Sequence, residues 1–184
     1  MKVKVLIIGA GCAGWWTANM LTSRGISTMI TDINPVAAFA STRNQGWLHS
    51  GAYYAIRGDI ETFQVCKSGF DYIDHYFPQT ILKDIPCYYL FRTQEERERA
   101  INRCEQAGIF ARPVDFNQLL RREPILASTR FMYPLEVLDR PIDTSKLLQQ
   151  VVQQACDHGA YFKPVTNLDS IKPVWDADKG VWRV

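Results

Sequence analysis

The chain has 184 residues, 47% hydrophobic and 22% charged, the profile of an ordinary globular protein able to bury most of its unfolded surface. Twenty-one Lys and Arg against nineteen Asp and Glu leave a formal charge of +2, too little to attract nucleic acid or an acidic lipid surface. The five cysteines, Cys12, Cys66, Cys87, Cys104 and Cys156, are spaced for neither a C-x-x-C metal clamp nor a disulfide framework. A reducing, cytoplasmic setting is the expectation.

Val5-Leu6-Ile7-Ile8 ends a nearly all-apolar stretch from Val3, the pattern of a central parallel strand covered on both faces. It is too short for a signal-peptide core, and no stretch approaches the roughly 20 apolar residues of a membrane-spanning helix. The strand runs into Gly9-Ala10-Gly11-Cys12-Ala13-Gly14, then a helix from about Gly14 to Arg24, closed by Gly25. Trp15 and Trp16 at its start are read as packing residues. A second strand, Ile26 to Thr31, ends in Asp32.

Strand, G-x-G-x-x-G turn, helix, strand and acid are the full context of a dinucleotide fingerprint. Gly9 permits the tight turn, Gly11 lets the backbone approach a pyrophosphate, and Gly14 lets the helix pack against the strand. The helix N-terminus points N–H groups and a positive dipole end at the phosphates. Asp32 can accept both ribose hydroxyls and would repel a 2′-phosphate, which disfavours NADP.

After Asp32 a simple nicotinamide-binding fold would proceed through a helix to a third parallel strand. Instead Asn34-Pro35 breaks the pattern and a long stretch from Ala40 to Tyr54 reads as a binding loop. An amphipathic helix follows from Asp59 to Phe77, with Phe63, Cys66, Phe70, Ile73 and Phe77 on one face and Pro78 as its stop. Pro86 to Arg92 reads as a strand. Thr93 caps a charged helix to about Ala107, with Ile101, Cys104 and Ala107 as its buried stripe, and Gly108 ends it. Ile109 to Leu138 reads as short strands and turns with a brief helix near 117–122. Asp143 or Thr144 caps the clearest helix, with Leu147, Leu148, Val151, Val152, Ala155 and Cys156 on one face and Gly159 at its end. Ala160 to Lys163 should form a parallel strand beside the first two. Leu168 to Val174 and Val181 to Val184 read as a hairpin.

The segment Arg43-Asn44-Gln45-Gly46-Trp47-Leu48-His49-Ser50-Gly51-Ala52-Tyr53-Tyr54 resembles the R/H-N-S-G-V-[IL]-H-[AS]-G-x-Y-Y stretch of FAD-dependent oxidoreductases of the D-amino-acid oxidase and glycerol-3-phosphate dehydrogenase superfamily. The likeness is greatest to the branch containing L-2-hydroxyglutarate oxidases and dehydrogenases. Cys66-Lys67-Ser68-Gly69, the Thr93-Gln94-Glu95-Glu96 helix start, the Glu123-Pro124 turn and the Asp139-to-Asp143 approach sit where that family has similar elements.

The resemblance implies FAD rather than NAD and an α/β fold. The expected architecture is a Rossmann-like, glutathione-reductase-type parallel sheet (residues 1–77 and 143–184) with an inserted α+β substrate-binding segment (78–142). It implies that Gly9, Gly11, Gly14 and Asp32 hold the ADP half, with Cys12, Ala13 and Ile33 beside them. Ser41, Thr42, Arg43 and Asn44 would approach the phosphates and flavin edge, with Gly46 in the same loop and His49 and Gly51 near the isoalloxazine. The chemistry implied is hydride transfer from a C–H next to a hydroxyl or amine, in a 2-hydroxy acid, amino acid or amine, to flavin N5.

His49 is the loop residue whose unperturbed pKa lies near neutrality, which makes it the candidate base or substrate orienter. Covalent flavin attachment or a purely structural bond within the loop are its other readings. Arg43 suits a phosphate, or else a substrate carboxylate. His75 and His158 read as surface or capping residues, and Tyr53 and Tyr54 as packing residues. Family members are longer, so the chain is expected to be an N-terminal fragment or split half, incomplete at its C-terminus, with a complementing chain as a possible partner. A catalytically inactive nucleotide-binding or interaction module that keeps the ADP cradle is the alternative.

Overall fold

The computed structural model describes residues 2–82, 85–172, 174–179 and 181–183. The chain divides into two compact units, 1–44 with 144–184 and 45–143.

In the first unit, β1 (Val5–Ile8), α1 (Cys12–Thr22) and β2 (Thr28–Asp32) form the expected strand–helix–strand crossover. β2 pairs in parallel with β1, Val5 beside Thr28 and Ile7 beside Ile30, and on its other side with β8 (Tyr161–Pro164), Met29 beside Tyr161. The sheet order is β1-β2-β8, so the third strand is supplied from far down the chain, as predicted. Central β2 is the most buried of the three, with Thr28, Ile30 and Thr31 each at most 2% exposed. A strand covered on both faces has no solvent side to populate with polar residues, so its threonines need internal partners. The Thr31 hydroxyl donates to the Lys163 carbonyl at 2.7 Å.

α1 packs against α6 (Thr144–Asp157), whose Leu147, Leu148, Val151 and Ala155 are buried. Val152 is half-buried and Cys156 exposed, so the apolar stripe is narrower than expected. Trp15 is 1% exposed and meets Phe162 of β8 with ring centroids 6.2 Å apart, consistent with a packing role. Gly25, at positive φ, closes α1: its N–H reaches the Thr22 carbonyl and that of Ile26 the Leu21 carbonyl, the two bonds of a Schellman turn. Leu168 to Ser170 is a 3-10 turn rather than strand. β9 (Val174–Asp176) and β10 (Val181–Arg183) make the antiparallel hairpin. Val184 lies outside the described residues.

The second unit holds β3 (Trp47–Leu48), α2 (Ala52–Arg57), α3 (Ile60–Tyr76), β4 (Cys87–Phe91), α4 (Gln94–Gln106), β5 (Ala111–Pro113), α5 (Phe116–Arg122), β6 (Tyr133–Val137) and β7 (Arg140–Pro141). β4, β6 and β5 form an antiparallel sheet with β6 central, and β3 pairs with β7. Leu135 and Val137 of β6 meet Ala100 and Cys104 of α4, Ala52 and Ala55 of α2, and Phe63 of α3 in one core cluster. The stripe on α4 is therefore Ala100 and Cys104, with Ile101 and Ala107 at its margin. Asp59 caps α3 and Thr93 caps α4 through a reciprocal capping box with Glu96.

Two expectations change here. Residues 40–54 are not one loop, since β3 and the first turn of α2 lie within them. The early boundary falls at 44/45 rather than 77/78, because Phe63 and α2 pack into the β6 core.

Candidate functional site

In the first unit the fingerprint glycines have measurable work. Gly9 sits at φ +113°, and a Cβ on Gly14 would lie 2.0 Å from the Gly9 carbonyl oxygen, so no side chain fits between α1 and the strand turn. A Cβ on Gly11 would come within 3.1 Å of the Ser41 hydroxyl, a cradle that only glycine leaves open. Cys12 and Ala13, the first residues of α1, are exposed, so that helix end is open to a ligand. The Cys12 amide donates to Ser41 Oγ at 2.8 Å, which places Ser41 at the helix N-terminus where the resemblance puts it.

Asp32 leaves the end of β2 and its carboxylate accepts from the Ala10 amide (2.8 Å) and the Asn34 amide (2.9 Å). These two N–H groups hold its carboxyl below the usual range, so it is an anion at neutral pH. A carboxylate carries about four lone-pair sites, which leaves capacity for ribose hydroxyls. Ile33 beside it is half exposed.

Thr42 donates to the Ala37 carbonyl at 2.7 Å, and the Asn44 amide donates to the carbonyls of Ala40 and Ser41. Both side chains thus hold the turn rather than project from it. Arg43 is exposed, its guanidinium 5.7 Å from the Phe39 ring centroid. His158 bonds Asn19 across the α1–α6 contact at 3.2 Å, so it ties two helices together rather than merely facing solvent.

In the second unit the β3–β7 ladder pairs Trp47 with Pro141 and Leu48 with Arg140. One residue further along that register, His49 comes opposite Asp139, and Nδ1 lies 3.0 Å from Oδ2. Asp139 is 1% exposed. Its Oδ1 accepts from the Ser50 amide (2.8 Å) and the Ser50 hydroxyl (2.6 Å), and its Oδ2 also accepts from the Tyr89 hydroxyl at 2.9 Å. A buried carboxylate is tolerated only where donors replace its hydration, and here four donors do so. Burial and the Asp139 charge push the Tyr89 hydroxyl well above its ordinary pKa, so it remains a donor. The same two causes, burial first, raise the Cys87 and Cys104 thiols to about 11.

The His49 side chain stays 46% exposed and lines a cleft of about 710 Å³ with Tyr53, Tyr54, Arg57, Tyr88 and Tyr89. Tyr53 is 48% exposed, meets Tyr54 edge-to-face at 5.4 Å and accepts from Arg57 at 3.0 Å. Tyr53 and Tyr54 thus form a cleft wall rather than core. Gly46 and Gly51 have packing reasons of their own. A Cβ on Gly46 would lie 3.1 Å from the Ile142 carbonyl oxygen, and one on Gly51 would lie 2.8 Å from the Phe63 ring.

Sequence reading missed Asp139, Ser50 and Tyr89 as partners of His49. The hydrophobic pattern carries no mark of a pairing between residues ninety positions apart, and only the β3–β7 register brings it about. Among the described residues no helix is long and apolar enough to cross a membrane, and no cluster of three His, Cys, Asp or Glu side chains is arranged for a metal ion.

Comparison with known proteins gives a consistent picture. The family model described as FAD dependent oxidoreductase matches residues 4–184. The large-chain relative in Escherichia coli K12, from its anaerobic glycerol-3-phosphate dehydrogenase, is 32% identical over 167 residues, 85% of this chain and 29% of that protein. The structure resembles L-amino acid deaminase from Proteus vulgaris, with a TM-score of 0.70 at 16% identity over 89% of this chain and 44% of that one. It also resembles dithionite-reduced L-alpha-glycerophosphate oxidase from Mycoplasma pneumoniae with FAD bound, with a TM-score of 0.65 at 17% identity over 89% and 45%. The chain thus spans less than a third of its curated relative and under half of these solved neighbours.

Proposed function

We propose, from the premise that this chain belongs to the FAD dependent oxidoreductase family, that its first unit holds the ADP half of FAD and that the protein oxidises a carbon bearing a hydroxyl or amine. The observation that carries the reading is the cradle itself. A helix end with exposed Cys12 and Ala13 opens beside glycines that admit no side chain, and an ionised carboxylate lies close by at Asp32.

In this reading the α1 N-terminus and the Gly9–Gly14 turn receive the pyrophosphate through backbone N–H groups. Ser41, which already bonds the Cys12 amide, is placed to exchange that bond for one to a phosphate oxygen. Asp32 grips the ribose. Bound FAD would accept at its N5 the hydride released from the substrate carbon. In the second unit, His49 takes the proton from the substrate hydroxyl or amine, and the cleft it shares with Tyr53, Tyr54 and Arg57 receives the substrate. Arg57 offers a cation to an acid group on that substrate. The E. coli relative is named for glycerol 3-phosphate and the Proteus neighbour for L-amino acids. Their names support the hydroxyl-or-amine class, within which a 2-hydroxy acid fits the loop around His49.

The test is retention of flavin. Purified protein mixed with FAD and desalted should remain yellow, ADP should compete, and Asp32→Ala should lower retention at least tenfold. Anaerobic addition of 2-hydroxy acids, glycerol 3-phosphate and amino acids in turn should bleach the flavin with one class. Retention of NAD in place of FAD overturns the reading. ADP binding without flavin retention would favour the inactive nucleotide-binding module instead.

A further inference from the structure

We infer that Asp139 is a positioning residue that fixes His49 as its Nδ1–H tautomer and so presents Nε2 to the cleft as the lone-pair nitrogen. This rests on the reading of His49 as proton acceptor and adds to it the residue that prepares that acceptor.

The argument follows from donors and acceptors. An ionised carboxylate accepts only, so each group that bonds it must donate. The Ser50 amide can do nothing else, and the Ser50 and Tyr89 hydroxyls spend their single protons on it. The fourth partner is His49 Nδ1, 3.0 Å from Oδ2, and it must therefore carry the proton. With Nδ1 protonated, a neutral imidazole keeps its lone pair on Nε2. Asp139 is 1% exposed whereas the His49 side chain is 46% exposed, so the carboxylate is the fixed member of the pair and the ring edge is the accessible one. Ser50 adds rigidity, because its two bonds to Oδ1 hold the carboxylate plane while Oδ2 serves His49 and Tyr89. When Nε2 takes up a proton, the cation forms beside a buried anion already in place, with no reorganisation required.

The settings of the other two histidines differ, which supports a special role for this pairing. His75 is exposed at the end of α3 and His158 bonds the neutral Asn19 carboxamide. Among the described residues neither faces a buried carboxylate through Nδ1 in the same way.

The test needs no cofactor or substrate. Long-range nitrogen–proton correlation spectra of the protein, with His49 assigned through His49→Gln, should show a protonated Nδ1 and an unprotonated Nε2 at neutral pH. In Asp139→Asn the mixture found for exposed His75 should return. The second readout is the rate of acylation by diethyl pyrocarbonate, mapped by mass spectrometry. His49 should react faster than His75 and slow several-fold in Asp139→Asn, whereas a role limited to bracing the loop would leave the rate unchanged or raise it through greater exposure. An Nε2–H tautomer in the native protein overturns the inference, as does an acylation rate that does not fall. The native spectrum decides even where the variant does not fold. A flavin-free result in the retention experiment, with the Nδ1–H tautomer intact, would reject the cofactor reading and leave the pairing standing.

Discussion

The Gly9 carbonyl oxygen occupies the place that any β-carbon on Gly14 would need, only 2.0 Å from it. Backbone, not a flexible side chain, fills that space, so the contact cannot be relieved by a rotamer change. Gly14→Ala should push α1 off the strand turn and destabilise the first unit by about 3 kcal/mol, since overpacking against rigid neighbours carries such costs. Urea unfolding measures the loss, and flavin retention should fall with it.

Asp32 yields a prediction with a defined pH window. The Ala10 and Asn34 amides lower its folded pKa, so its contribution to stability is complete above the unfolded value near 4 and fades as pH falls through the folded value. Asp32→Asn should cost about 1 kcal/mol at pH 6, and the difference from the native protein should shrink towards pH 3. A gap that persists at pH 3 would mean the charge has no part in it.

Tyr89→Phe removes one of the four donors to Asp139 and should cost about 1 kcal/mol in chemical denaturation. Because the raised pKa keeps the phenol protonated, that cost should be the same at pH 6 and pH 9.

Thr93→Ala breaks both halves of the capping box at the start of α4. The expected loss is about 1 kcal/mol, with Thr93→Ser restoring most of it.

Thiol reactivity should sort by environment. Cys104 is fully buried with a pKa of about 11, and Cys87 shares that pKa, so at pH 8 only about one part in a thousand of each is thiolate. Exposed Cys12 and Cys156 should react first with Ellman's reagent. Added FAD should slow Cys12 alone, since it stands at the helix end assigned to the phosphates.

The features legible in the sequence are those written within a few neighbouring residues. The glycine fingerprint, Asp32, the Asp59 and Thr93 caps and the parallel strand after Gly159 all occur where the residues predict them. The stretch around His49 reads as a loop because two residues of β3 are too few to show a period, and the first turn of α2 follows directly on a glycine at φ +91°. The early boundary is displaced for a related reason. The amphipathic face of α3 marks Phe63 as buried but does not say against which core, and its partners turn out to be Leu135 and Val137 of a strand seventy residues on.

Amino-acid order alone therefore specified the nucleotide cradle, since every glycine in it answers a constraint of local backbone geometry, with Gly9 and Gly14 five residues apart. The surroundings of His49 needed the folded chain. Asp139 reaches it only because β7 returns antiparallel to β3, and a strand register is set by the packing of both ends of a ninety-residue excursion rather than by either short segment.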